Sequence, residues 1–439
     1  MQTMLLTSIN SLNSINFKVK LITSTSFLFL CFCFHPFKIV AEWDNPVLGQ
    51  IRTSASASAT YDSRVFGIPS SYYNKLKTDP SSNNAGVPVN ELKSEDDFIL
   101  KFSPAVHLAK KVSLLKFSGS AGVEIAQYIK NDDKSYVVPV TTFSIDFDET
   151  LSKNKRISNN AKIRFEAVFD LGQKVSASVL EQDLTSYTYF TAGMNVRYNH
   201  SPKFGVGGGT NYSIQQYQSG STGPRPYQDF STLPLNFRAF YIYSEKLDIY
   251  TNYTFSRSKS KGSQPNLIDS KSHSISFGAN GEYSTKLSGD ASIGYSLVTY
   301  DQNGNPDQDN LTVGLGLSYK YNSKTSSNLS LNRSFSPSAQ GFSSFTTSAR
   351  AGLTHRFVES VSGTAYLSAS TVDYFYPASI PQVVNVESSS MNTYGLGFSI
   401  SKNINKFFSA SGSYDYSIID RNSDTYGRHI IQALITGRF

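Results

Sequence analysis

The 439-residue chain has few cysteines, tryptophans and charged residues. It contains 2 Cys and 1 Trp, and only 17% of its residues are charged. Both cysteines, Cys31 and Cys33, fall within the apolar run LITSTSFLFLCFCF, so the chain beyond that run has no thiol with which to form a disulfide. After residue 41, no apolar run approaches the roughly 18 residues that a membrane-spanning helix needs, which excludes such a helix there.

Strong positive charge and catalytic motifs are also missing. The formal net charge of +7 is mild and scattered, which argues against a nucleic-acid partner. The histidines after residue 41 stand singly without metal-ligand spacing, and no GxSxG nucleophile motif occurs. We therefore expect no catalytic residues, no metal, no cofactor and no enzymatic activity. One alternative remains open, a hydrolase with a Ser and a His one strand apart on a lipid-facing surface.

The first 41 residues have the pattern of a secretory signal peptide. Lys18 and Lys20 precede the apolar run, and the small residue Ala41 comes just before Glu42. We expect cleavage there, which leaves residues 42–439 as the mature domain. An N-terminal membrane anchor is the alternative, although the apolar run is short for a span.

Strand-forming residues are abundant, with 27 Tyr and 30 Phe. From residue 50 onward, apolar residues alternate with Ser, Gly, Thr and charged residues, so that successive side chains point to opposite faces of a strand. The alternating segments are about 10 to 13 residues long, whereas strands of soluble proteins cluster near five or six. A tilted strand that crosses a membrane needs about 9 to 11 residues. Strand length therefore favours a membrane barrel over a soluble sandwich or β-solenoid.

Two kinds of connection alternate along the chain. One kind is minimal, and the other is long and polar, as is typical of the periplasmic turns and external loops of outer-membrane barrels. Long loops are predicted at residues 67–96, 217–228, 257–271, 300–310, 335–344, 376–391 and 419–428. We predict an all-β fold, a transmembrane antiparallel up-and-down β-barrel of about 18 strands spanning residues 42–439.

The polar face of such a barrel would line a water-filled lumen. Charged side chains there would set ion preference, or would form ion pairs across the lumen that only hold the wall. The pore-lining candidates are Lys162, Arg164, Glu166, Glu282, Asp290, Lys320, Arg350 and Arg356. At the other end of the sequence, Phe439 is similar to the C-terminal assembly signal of outer-membrane proteins, except that Gly437 stands where a second aromatic is usual.

Three segments, SASASATYDSRVFG, DDFILKFSPAVHLAKK and FSGSAGVEIAQY, together with the succession of hairpins, resemble the family described as "putative beta-barrel porin 2". The resemblance implies a barrel in the outer membrane of a Gram-negative bacterium. We expect a porin-like channel for passive passage of small polar solutes or ions. Some similar barrels accompany exopolysaccharide export, so the alternative is a structural or export-associated barrel without an open pore of its own. Expected partners are outer-membrane lipid, the barrel-assembly machinery and small polar solutes, with further copies of the chain or export-system proteins in addition.

Overall fold

The computed structural model describes eleven ranges of the chain. They are residues 43–45, 49–67, 93–148, 163–178, 183–217, 229–261, 269–301, 307–337, 343–375, 390–421 and 424–439. The predicted signal peptide and most of the predicted loop 67–96 lie outside these residues. No helix in the described ranges is long and apolar enough to cross a membrane.

Across these ranges, eighteen long strands follow one short strand, β1 (Trp43–Asn45). The long strands are β2 (Gly49–Asp62), β3 (Asp97–Val112), β4 (Leu115–Tyr128), β5 (Tyr136–Asp148), β6 (Ile163–Ser178), β7 (Asp183–Asn199), β8 (Phe204–Tyr217), β9 (Asp229–Ser244), β10 (Leu247–Lys261), β11 (Ser270–Glu282), β12 (Leu287–Tyr300), β13 (Gln308–Lys320), β14 (Thr325–Pro337), β15 (Ser343–Val358), β16 (Val361–Phe375), β17 (Ser390–Asn403), β18 (Phe408–Arg421) and β19 (Asp424–Arg438). Short 3-10 helices cover Val65–Gly67 and Asp132–Lys134.

The sheet closes on itself. Each long strand pairs antiparallel with its neighbours in sequence, and β19 pairs with β2 from Ile430↔Asp62 to Arg438↔Ser54. A free edge would leave backbone N–H and C=O groups unpaired in lipid, and each unpaired group would cost several kcal/mol. Closure gives all of these groups hydrogen-bond partners. The predicted fold, an antiparallel barrel of about 18 strands, is confirmed.

One end of the barrel carries very short turns. They are residues 113–114, 200–203, 245–246, 283–286, 321–324, 359–360 and 404–407. The sequence predicts six of these turns, around Pro202, Glu245, Lys286, Lys324, Glu359 and Asn405. It places the remaining one around Lys110, which instead lies within β3, just before the turn at 113–114. At the other end, the predicted loop 419–428 is wrong, because β18 continues to Arg421 and β19 begins at Asp424. The polar residues there extend the ladder, and Thr425 donates a hydrogen bond to Asp420 at 2.7 Å. Beyond the lipid, a polar segment can remain a strand, so polarity alone does not mark the end of one.

The two faces of the sheet differ in polarity and curvature. Large exposed apolar side chains fall at alternate positions, for example Ile275 (45% exposed) and Phe277 (58%) on β11. The opposite face of β11 carries Ser274, Ser276 and Gly278. Across this polar face, side chains of next-but-one strands meet, which happens on the concave side of a curved sheet. The polar face therefore lines the lumen, and the apolar face is turned outward.

Candidate functional site in the barrel lumen

Six of the eight predicted pore-lining residues have described side chains, and all six occupy positions of the inward face. They are Glu166 on β6, Glu282 on β11, Asp290 on β12, Lys320 on β13, and Arg350 and Arg356 on β15. Arg164 takes an inward backbone position on β6, where it is paired with Arg197, but its side chain is not described. Lys162 lies outside the described residues.

The acidic and basic candidates differ in their surroundings. Glu282 forms an ion pair with Lys246 at 2.6 Å, at the rim with the short turns. Asp290 accepts hydrogen bonds from the Tyr250 hydroxyl at 3.1 and 2.9 Å. Lys320, Arg350 and Arg356 are exposed. Two of the predicted charges, Glu282 and Asp290, thus make contacts within the wall, while the exposed basic side chains lie on the inward face.

A row of four inward residues crosses four adjacent strands, and we call it the first row. Arg238 on β9 lies over the ring of Tyr250 on β10, with 4.3 Å between the guanidinium carbon and the ring centroid. Tyr250 reaches across Gly278 on β11 to hydrogen-bond Asp290 on β12. A Cβ atom at Gly278 would come within 2.6 Å of the tyrosine ring, so only glycine leaves room for this crossing.

The same arrangement recurs six strands further on, and we call it the second row. The guanidinium carbon of Arg350 on β15 lies 3.5 Å from the ring centroid of Tyr366 on β16. The Tyr366 hydroxyl donates to Asp415 on β18. Between them, a Cβ at Gly397 on β17 would come within 2.6 Å of the Tyr366 ring. Six of eighteen strands are one third of the circumference, so the two rows occupy walls about 120° apart.

Each row stiffens the wall and presents a cation. Tyrosine bridges strands that are about 10 Å apart in the sheet and fixes a carboxylate by a charge-assisted hydrogen bond. The guanidinium packs on the ring face, which leaves its in-plane N–H donors available to a planar anion. In the second row, Arg350 is exposed and near the middle of β15, and no ion pair to it occurs among the described residues.

A third inward arginine is neutralised by its surroundings. Arg197 on β7 forms an ion pair with Asp248 on β10 at 2.9 Å. Its guanidinium carbon also lies 4.2 Å from the centroid of the Phe240 ring. That ring packs over Gly207, where a Cβ would come within 3.1 Å of it. Asp248 is only 4% exposed. This pair belongs to the structure of the wall.

Sequence reasoning missed most members of these groups. Period-two alternation places Arg238 inward, because its neighbours Phe237 and Ala239 are apolar, and the same signal was available for the others. The residues that the prediction omitted are Arg197, Arg238, Asp248, Tyr250, Tyr366 and Asp415. Which tyrosine meets which carboxylate depends on strand register, which alternation does not specify.

One Ser–His pair also lies on the inward face. The Ser54 hydroxyl is 2.8 Å from Nε2 of His107, beside a cavity of about 310 Å³ near the short-turn end. Within the described ranges, no carboxylate is hydrogen-bonded to His107, so the group that orients a catalytic histidine is missing from this pair. Those ranges also contain no group of three His, Cys, Asp or Glu residues that could hold a metal ion.

A closed antiparallel barrel with an apolar outer face and charged side chains on its inward face is the architecture of an outer-membrane barrel of the porin type. A family model described as "Putative beta-barrel porin 2" matches residues 152–436. The match covers more than half of the chain, so the chain belongs to this family. The predicted resemblance is thus confirmed, although the three segments that suggested it lie before the matched residues. The protein is thus a porin-like channel of the bacterial outer membrane.

Several solved outer-membrane protein structures show a similar architecture. OccK1 (OpdK) of Pseudomonas aeruginosa matches with a TM-score of 0.46 and 10% identity, over 89% of this chain and 98% of that chain. OccK2 (OpdF) of the same organism, in complex with glucuronate, matches with a TM-score of 0.45 and 9% identity over the same shares. OccAB4 of Acinetobacter baumannii matches with a TM-score of 0.46 and 11% identity, again over 89% and 98%. No curated protein matches the chain significantly.

Proposed function

We propose that small polar solutes and ions diffuse through the lumen, and that inward-facing charges set which of them pass. The observation that carries this proposal is the exposure of Arg350 at mid-height on the inward face. A packed core would bury a side chain at this position, whereas a barrel of this strand number leaves an aqueous channel.

The predicted pore-lining residues take distinct roles in this proposal. Lys320, Arg350 and Arg356 attract mobile anions. Glu166 lines the wall on β6, and Lys162 and Arg164 stay predicted pore-lining residues. Glu282 and Asp290 are engaged in wall contacts and contribute less. The channel carries out no chemistry on its solutes.

The proposal also includes export and membrane insertion of the chain. Residues 1–41 are removed as a signal peptide, and residues 42–439 are inserted into the membrane by the barrel-assembly machinery. Phe439 acts as part of the assembly signal. The barrel then conducts by itself, whether or not further copies associate with it.

The decisive measurement is the conductance of the purified barrel in a planar lipid bilayer. We expect stepwise, persistent open channels without any added protein. A barrel that inserts fully but shows no open state would overturn the channel and would favour an export-associated barrel that opens only with partners.

Reversal potentials in a salt gradient test the role of the inward charges. Arg350→Glu changes the charge at mid-lumen by two, so we expect the cation-to-anion permeability ratio to rise about twofold or more. The control is Lys402→Glu, which makes the same charge change on the outward face of β17. Equal reversal potentials for the wild type and Arg350→Glu would show that this arginine does not act on permeating ions.

A further inference from the structure

The outward face changes character abruptly along β10 and β11. Going up β10 from the short-turn end, its outward positions run from Ile249 (45% exposed) to Tyr253 (39%) and Phe255. The next outward position is Arg257, about 13 Å along the strand from Tyr253. Beside it on β11, Ile275 and His273 are followed by Lys271, which is paired with Arg257 in register.

Four basic side chains share this surface, and we call them the rim patch. They are Arg257, Lys259, Lys261 and Lys271. Their acidic neighbours are Asp301, which is 2.7 Å from Lys271 and 3.9 Å from Arg257, and Asp229, which is paired with Lys261 in register. A third, Asp269, accepts hydrogen bonds at 2.9 Å from the backbone N–H and the hydroxyl of Ser260, the residue between Lys259 and Lys261. With four basic and three acidic residues, the patch keeps a net positive charge of one. Of residues 262–269, which connect the two strands, Asp269 alone is charged.

Arg257 also has an unused donor. Its Nε atom is buried and has no hydrogen-bond partner among the described residues. A buried N–H without an acceptor costs about 1 to 3 kcal/mol, so an anion that supplied the acceptor would be favoured there. Arg333, an arginine near the same end of β14, instead donates to Asn310 and Thr347.

We propose that the rim patch binds the phosphate groups of an anionic lipid in the external leaflet, a phosphorylated glycolipid of the lipopolysaccharide type. Acyl chains would contact Ile249, Ile275 and Phe277, and the sugar backbone would lie at the level of Tyr253 and His273. The phosphates would then meet the patch. Apolar, aromatic and basic positions therefore follow each other in the order in which a lipid presents chain, interface and charged headgroup.

The test is a titration of the purified, detergent-solubilised barrel with fluorescent lipopolysaccharide. We expect about tenfold weaker binding when all four patch residues are changed to Gln. The matched control changes Lys110, Lys203, Lys286 and Lys402, four lysines at the opposite rim, to Gln and should bind like the wild type. Equal affinity of the patch variant and the wild type would overturn the site.

A second arm identifies the group that is recognised. Lipopolysaccharide whose phosphates have been removed enzymatically should bind the wild type weakly. Its affinity should be as low as the affinity of intact lipopolysaccharide for the patch variant. If the wild type binds both lipids equally, phosphate recognition is wrong. Channel conductance should be the same in the wild type and the patch variant, since the patch faces outward, and it also verifies that the variant is folded.

Discussion

Asp97 shows how much structure a single residue organises at the loop end of the barrel. It is 0% exposed and accepts hydrogen bonds from the backbone N–H groups of Phe98, Ile129, Lys130 and Asn131 at 2.7 to 3.0 Å. The side-chain amide of Asn131 donates a further bond to it at 2.9 Å. The carboxylate thereby ties the start of β3 to the connection between β4 and β5.

Replacing Asp97 with Ala should lower the free energy of unfolding by about 3 kcal/mol, because it leaves several buried donors without an acceptor. Urea titration of the barrel in detergent micelles, followed by intrinsic fluorescence, measures the loss. The matched control is Asp133→Ala, which removes an exposed carboxylate that lies 3.6 Å from Lys93 and should cost less than about 1 kcal/mol. Similar losses for both variants would show that Asp97 has no special role.

The neighbouring Asp96 makes a weaker contribution. Its carboxylate accepts hydrogen bonds from the Lys130 ammonium at 2.6 and 2.7 Å, which hold the pKa of Asp96 below its usual value. The same contact raises the pKa of Lys130. Since both side chains are partly exposed to water, their ion pair contributes little to stability, and the ordering of this region depends mainly on Asp97.

At the scale of the element, glycine decides where a strand can be crossed. In the second row, Tyr366 lies over Gly397, where a Cβ would meet the Asp415 carboxylate and come within 2.6 Å of the tyrosine ring. Gly397→Ala should therefore displace the tyrosine from Asp415 and cost about 1 to 3 kcal/mol. In a Tyr366→Ala background, the same change should cost less, because the ring is absent and the Asp415 carboxylate, no longer held by the tyrosine hydroxyl, can turn away from the new Cβ.

Urea unfolding of the two single variants and the double variant gives the coupling energy directly. Gly316→Ala is the control, since a Cβ at this inward position on β13 has nothing within 4 Å. Strictly additive losses for Gly397→Ala and Tyr366→Ala would show that the ring does not depend on the glycine.

Features that belong to a single strand can be predicted from the sequence, whereas contacts between side chains of different strands cannot. Alternation, short turns and strand number follow from the sequence, because one face of every strand must match lipid and a shift by one residue would reverse the faces. The contact between Tyr366 and Asp415 joins residues 49 positions apart through an intervening strand, so it needs the three-dimensional register. The sequence misses the rim patch for a different reason, because it predicts a long polar loop over residues 257–271. This prediction is wrong for Arg257, Lys259 and Lys261, which continue the outward alternation of β10.

For the whole molecule, the critical step is closure of β2 on β19, which joins the two strands most distant in sequence. Arg428 forms a two-point hydrogen-bonded ion pair with Asp62, 366 positions away. Contacts of such long sequence separation form slowly, because the chain entropy between them is lost before the contact stabilises anything. Side chains that hold the seam should therefore affect how much barrel is assembled.

Phe439 holds the short-turn end of this seam. Its backbone exchanges hydrogen bonds with Thr53 at 2.7 and 2.8 Å, and its ring packs 5.4 Å from that of Phe408. A Cβ at Gly437 would come within 2.9 Å of the Phe439 ring. The ring thus fills the space above the glycine, which explains why a second aromatic does not stand at position 437.

Phe439→Ala should reduce the amount of folded barrel in the outer membrane by about threefold or more, because it removes a packed aromatic from the seam, a loss of about 3 kcal/mol at full burial. Heat-modifiable mobility of the barrel in the outer-membrane fraction measures this amount. Phe439→Tyr keeps the ring and should assemble like the wild type. If Phe439→Ala also assembles at the wild-type level, closure of the barrel does not depend on this ring, and the backbone pairing with Thr53 alone is sufficient to complete the seam.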